Sequence, residues 1–106
     1  MEVIVDINIS RIIEEAIQEL NHTLTNKISL QKGENIRLYG NGGALDSLSL
    51  VNLIVTIEGA IEEQTGVGLI LANDKALSQK NSPFATIGKL KTYVEKLYKD
   101  EVLHAF

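Results

Sequence analysis

The 106-residue sequence has no cysteine and no tryptophan, one proline and only 2 histidines. Without cysteine the chain forms no disulfide, binds no metal through thiolates and offers no cysteine nucleophile. His22 and His104 are too few for most transition-metal sites, so no metal site is expected. With 2 phenylalanines and 3 tyrosines, the core has to be built from Ile, Leu and Val. No run approaches the roughly 18 apolar residues of a membrane span. The opening Met-Glu-Val-Ile-Val-Asp lacks the basic start and apolar stretch of a signal peptide, and the expected location is cytoplasmic. Basic residues are also in deficit, 10 against 14 acidic, for a net charge of −4. Nucleic-acid binding wants a basic face and is therefore disfavoured. The imbalance sits in residues 1–74, which carry 4 basic and 11 acidic residues, whereas residues 75–106 carry 6 and 3. A partner of the first segment is expected to be basic.

What is present is the composition of a soluble globular domain, 44% hydrophobic and 23% charged, and residues 1–106 form a single domain at this length. Ile9, Ile12, Ile13, Ala16, Ile17, Leu20 and Leu24 make one stripe of helical period, with Asp6, Asn8 or Ser10 as its cap. Glu14, Glu15 and Glu19 fall on its solvated face, where the pair Glu14-Glu15 has no histidine at metal spacing. Residues 25–45 form a long, turn-rich loop, held to the core by Ile28, Leu30, Ile36 and Leu38. A second helix runs from Asp46, a good N-cap, to about Gln64, with Gly66 as its stop. Residues 67–72 are an apolar run that periodicity cannot assign to buried loop or strand. Asn73 to Leu77 suit a single helical turn, and Thr86 caps a last helix lined by Ile87, Leu90, Val94 and Leu97, its other faces covered by Lys89, Lys91, Lys96 and Lys99. The pattern is an all-α fold, a small four-helix bundle of three main helices and one short helix, with the long loop between helices one and two.

The second helix is apolar on two sides. At about 100° per residue, Leu50, Leu53, Ile54, Ile57 and Ile61 cluster near 40° from Asp46, a core stripe. Leu48, Val51 and Val55 cluster near 170°, and Glu58 and Glu62 continue that face toward the C-terminal end. Two readings are open: the loop 25–45 covers this second face, or the face is a docking strip, apolar for contact and acidic for steering a basic partner.

Ser47 opens the same helix after a glycine-rich loop. Serine is common at helix starts, and that alone explains it. A nucleophilic triad is a poor fit, because no Gly-x-Ser-x-Gly elbow surrounds Ser47 and neither histidine has an evident route to it. An exposed hydroxyl where free N–H groups and the helix dipole favour an anion is, however, a good place to carry a phosphodiester. Gly40-Asn41-Gly42-Gly43 lacks the Lys and Ser/Thr of a phosphate-binding loop and reads as a turn.

Leu45-Asp46-Ser47-Leu48-Ser49-Leu50-Val51-Asn52-Leu53-Ile54, followed by Ile57-Glu58, resembles the acyl carrier protein family around its Asp-Ser-Leu motif. Phe84-Ala85-Thr86-Ile87-Gly88-Lys89-Leu90, then Tyr93-Val94, is similar to the start of that family's last helix, and the likeness covers about residues 8–98. The resemblance implies a carrier and not an enzyme. Ser47 receives 4′-phosphopantetheine from coenzyme A by the action of a separate, Mg²⁺-dependent phosphopantetheinyl transferase. The arm then holds acyl groups as thioesters for acyl-loading and acyl-transferring enzymes. It further implies that Asp46 caps the helix and contacts the transferase or its metal. Leu48, Val51 and Val55 would be the apolar part of the partner-binding strip, and Glu58 and Glu62 its acidic part. Ser49 and Asn52 stand where the fatty-acid-synthesis type carries acids, and residues 67–71 are more apolar than in that type. These departures point to a specialised carrier of lipid, polysaccharide, polyketide or amino-acid thioester chemistry. A monomer is expected. The reading from another class is an unmodified helical module that docks a partner through the same strip.

Overall fold

Helix α1, Ile9–Asn21, buries the stripe read from the sequence: Ile9, Ile12, Ile13, Ala16, Ile17 and Leu20 all face the core. Its cap is Asn8, whose side chain accepts the Arg11 N–H at 3.0 Å. Of the other two candidates, Asp6 lies outside the described residues, and Ser10 is inside the helix with its hydroxyl on Glu14. The computed structural model describes residues 8–24, 27–33, 35–40, 42–73 and 82–104. These form an all-helical fold of three α-helices with no strand among the described residues: α1, α2 (Ser47–Thr65) and α3 (Ile87–His104). The single helical turn expected at Asn73–Leu77 lies, Asn73 apart, outside them.

Helix α1 ends earlier than its apolar stripe. Asn21 turns its amide onto the returning chain, donating to the Ile28 carbonyl and accepting the Ile28 N–H, both at 2.8 Å. Leu24 still packs on the core from beyond the helix. Ile28 and Leu38 are buried, and Leu30 and Ile36 pack partly against the same core, as the sequence suggested. Leu30–Lys32 form one 3-10 turn.

Backbone pairing then stitches this segment to α3. The Leu38 N–H reaches the Ala85 carbonyl at 2.7 Å and the Ile87 N–H reaches the Ile36 carbonyl at 3.2 Å, around an antiparallel bridge between Arg37 and Thr86. A second, parallel bridge joins Tyr39 to Leu45, and the Leu45 N–H donates to the Leu38 carbonyl at 2.8 Å. That closure brings Gly43 so near the preceding strand of chain that a Cβ there would sit 2.6 Å from the Leu38 carbonyl oxygen. Because the opposing atoms are backbone, Gly43→Ala should cost about 1–3 kcal/mol. Urea unfolding monitored by circular dichroism checks this; an unchanged midpoint would mean that the turn is built differently.

Helix α2 buries Leu50, Leu53, Ile54, Ile57 and Ile61 and stops at Gly66, which takes the left-handed conformation (φ 76°) that side-chain-bearing residues disfavour. Residues 67–72 are neither strand nor helix. Their burial alternates instead, with Leu69 and Leu71 buried and Ile70 79% exposed. Thr86 caps α3 through its hydroxyl, which accepts the Lys89 N–H at 3.2 Å. Ile87, Leu90 and Val94 enter the core, and Phe84 packs edge-on to Tyr93 with ring centres 5.7 Å apart. One charged position differs from the sequence reading: Lys91 is not a free surface cation, because its ammonium group pairs with Glu14 of α1 at 3.0 Å. That pair, 77 residues apart in the chain, ties α1 to α3 at the margin of their contact.

Candidate functional site

The first turn of α2 is set by Asp46. Its extended backbone ends the preceding turn, and its Oδ1 accepts the Ser49 N–H at 2.8 Å. That N–H is the chief reason the Asp46 carboxyl is held below its ordinary value; the Ser49 hydroxyl adds to the effect, and slight desolvation opposes it. The folded chain thus binds this proton more weakly than the unfolded chain. The cap stabilises α2 at and above the ordinary carboxylate range and loses that contribution as pH falls through the lowered value. Asparagine keeps an oxygen acceptor that does not titrate. We therefore expect Asp46→Asn to lose less α2 helicity than the wild type when the pH is taken below 3.8, read by circular dichroism or amide exchange. Identical acid profiles would show that the cap bond does not contribute.

Ser47 is the first helical residue and is exposed. The cap bond goes to the Ser49 N–H, and the Ser47 hydroxyl lies instead beside that of Tyr39. Among the described residues its hydroxyl pairs with that of Tyr39, with Oγ 3.3 Å from the phenol oxygen. Tyr39 is half-buried and reaches this position because the Tyr39–Leu45 bridge folds its loop back onto the start of α2. The sequence carried no sign of this contact.

Beside Ser47 runs the second apolar face of α2. Leu48 is 70% exposed, Val51 46% and Val55 59%. The described part of residues 25–45 therefore does not cover them, which removes the first of the two readings open from the sequence. Together with Ile70 they are the exposed large hydrophobic residues of the chain's described part. Farther along, Glu62 is exposed, but Glu58 is half-buried and its Oε2 accepts the Leu71 N–H at 2.7 Å. The Tyr93 hydroxyl, from α3, donates to the Leu71 carbonyl, also at 2.7 Å. Burial is the main cause that pushes the Tyr93 phenol up, helped by the negative charge of Glu58 and opposed by a hydrogen bond with Asn73. Glu58 and Tyr93 thus clamp both backbone polar groups of Leu71, beside the exposed Ile70.

Among the described residues, no helix is long and apolar enough to cross a membrane. Comparison with known proteins gives no match: no family model, no curated protein and no solved structure matches this chain.

Proposed function

We infer that this chain is an acyl carrier protein, modified at Ser47 with 4′-phosphopantetheine, which shuttles thioester-linked groups between enzymes and has no catalytic activity of its own. The observation that carries the reading is the environment of one hydroxyl. Ser47 Oγ is exposed at the first helical position of α2, uncapped by its neighbours, with an uncovered apolar strip leading away from it. Ser47 is exposed and the strip beside it is uncovered, so the residues present fit a long prosthetic arm. The positive end of the helix dipole favours its phosphodiester. The chain lacks cysteine, so the arm would supply the only thiol, and with it thioester chemistry.

In the loading step a bond forms between Ser47 Oγ and the phosphorus that carries pantetheine. The pyrophosphate bond of coenzyme A breaks, adenosine 3′,5′-bisphosphate leaves with the electron pair, and the hydroxyl proton passes to a base of the transferase. Asp46 holds the first turn and turns a carboxylate toward the same solvent space. Leu48, Val51 and Val55 dock the transferase and the acyl-handling enzymes, and Glu62 supplies acidic steering. Glu58 belongs to the same face, and its hydrogen bond to Leu71 gives it a structural duty as well. On this reading the finer architecture is a four-helix bundle, with the short helix near Asn73–Leu77 and a long loop between the first two main helices. The chain is a cytoplasmic monomer in a specialised lipid, polysaccharide, polyketide or amino-acid thioester route.

Incubation with a broad-specificity phosphopantetheinyl transferase, Mg²⁺ and coenzyme A tests this reading by intact mass. One added phosphopantetheine supports it. A chain that never gains that mass is instead an unmodified docking module using the same strip.

A further inference from the structure

We propose that Tyr39 is the positioning residue of the modification site, the group that tethers the phosphodiester to the protein once Ser47 is loaded. The inference rests on Ser47 being the attachment point. It is carried by the 3.3 Å contact between the Tyr39 and Ser47 hydroxyls and by the way Tyr39 is held. In the unloaded chain either oxygen is able to donate. Esterification removes the proton from Ser47 Oγ, so in the loaded chain only the phenol has a hydrogen to give. Its acceptors are then the ester oxygen, or the anionic oxygens one bond farther along on the same phosphorus. The contact changes from a neutral hydroxyl pair into an O–H donor facing a charged acceptor, a class of hydrogen bond about twice as strong.

The mounting of Tyr39 makes this a built feature of the fold. Its backbone is bridged to Leu45 just before the α2 cap, and the neighbouring Leu38 is paired both to Leu45 and to Ala85 at the start of α3. Gly43 permits the close return of the chain that puts the phenol over the helix start. Tyr39 also packs partly on the hydrophobic core, so its ring is not free to swing away. The loop that the glycine-rich sequence marks as a simple turn thereby becomes the platform for a hydrogen-bond donor.

Tyr39→Phe removes only the hydroxyl and keeps the ring. The test is a cycle of four proteins: wild type and Tyr39→Phe, each unloaded and loaded through transferase and coenzyme A. Both should load fully, since Ser47 is intact. The substitution should cost about twice as much stability in the loaded protein as in the unloaded one, read from urea midpoints. The ³¹P resonance of the loaded variant should also shift and sharpen as the phosphodiester is released from its tether. Equal costs in both states with an unmoved ³¹P line would overturn the role of Tyr39 while leaving the carrier reading standing. A wild type that takes no phosphopantetheine would remove the carrier reading itself.

Discussion

Ser47→Ala should leave the fold almost untouched and, on the carrier reading, abolish loading. The two halves of this result have separate causes. The helix cap is Asp46, and among the described residues the Ser47 hydroxyl bonds only that of Tyr39, in an exposed pair. Losing one exposed hydrogen bond and placing alanine, the best helix former, in the first turn should change stability by no more than about 0.5 kcal/mol. Helical circular dichroism and the melting curve should therefore match the wild type. Loading, on the carrier reading, needs an oxygen nucleophile at that position, which alanine removes. The expected signal is complete absence of the added mass under conditions that convert the wild type fully. Residual loading of Ser47→Ala would mean that another hydroxyl accepts the group.

Val51→Asp should slow loading and acyl transfer about thirty-fold while the helices stay formed. Val51 is 46% exposed in the middle of the strip, between Leu48 and Val55. Its side chain therefore contributes little to the core. Aspartate in a helix interior costs at most about 0.7 kcal/mol relative to the best helix formers. At a docking surface the balance is different. A central apolar contact typically contributes about 2 kcal/mol or more, which corresponds to roughly thirty-fold in affinity, and the new carboxylate would have to be desolvated against an apolar partner surface. The readout is kcat/KM with transferase, set beside the melting temperature. If the substitution unfolds the chain, Val51 belongs to the core and the two-faced helix is an error. If it folds and loads at the wild-type rate, docking occurs elsewhere.

The parts of this fold that were legible in the sequence are those written locally. The stripe of α1, the two faces of α2, the caps at Asp46 and Thr86 and the glycine stop at Gly66 each depend on residues within a turn or two of one another. Helical period and capping chemistry therefore suffice to find them. Three features escaped because their partners are distant in the chain. The Arg37–Thr86 bridge, the Glu14–Lys91 pair and the hold of Glu58 and Tyr93 on Leu71 all pair groups from different segments. No periodicity announces such pairings. The apolar run at residues 67–72 was ambiguous because a half-buried loop and a short strand share the same alternation. What distinguishes them is that residues 67–72 take no backbone pairing among the described residues.

The candidate site divides in the same way. The places of Asp46 and Ser47 and the shared face of Leu48, Val51 and Val55 followed from helix geometry once the start of α2 was placed. The modification of Ser47, by contrast, is what the family resemblance implies, and the exposure of that face was left open. Tyr39 did not follow, since it reaches Ser47 only through a loop closure that depends on Gly43 and on backbone pairing with residues 85–87. Ile70 was hidden too, because its exposure does not follow from the run of apolar residues that contains it.

The central claim is that one particular hydroxyl carries the prosthetic arm, and Ser49 is its nearest rival, two residues away in the same helical turn. Ser49 is half-buried and its N–H is held by the Asp46 carboxylate, whereas Ser47 is exposed. Peptide fragmentation of the loaded wild-type protein separates them directly. The account predicts a single phosphopantetheine, on Ser47; a group found on Ser49, or a peptide left bare after exhaustive incubation, would contradict it.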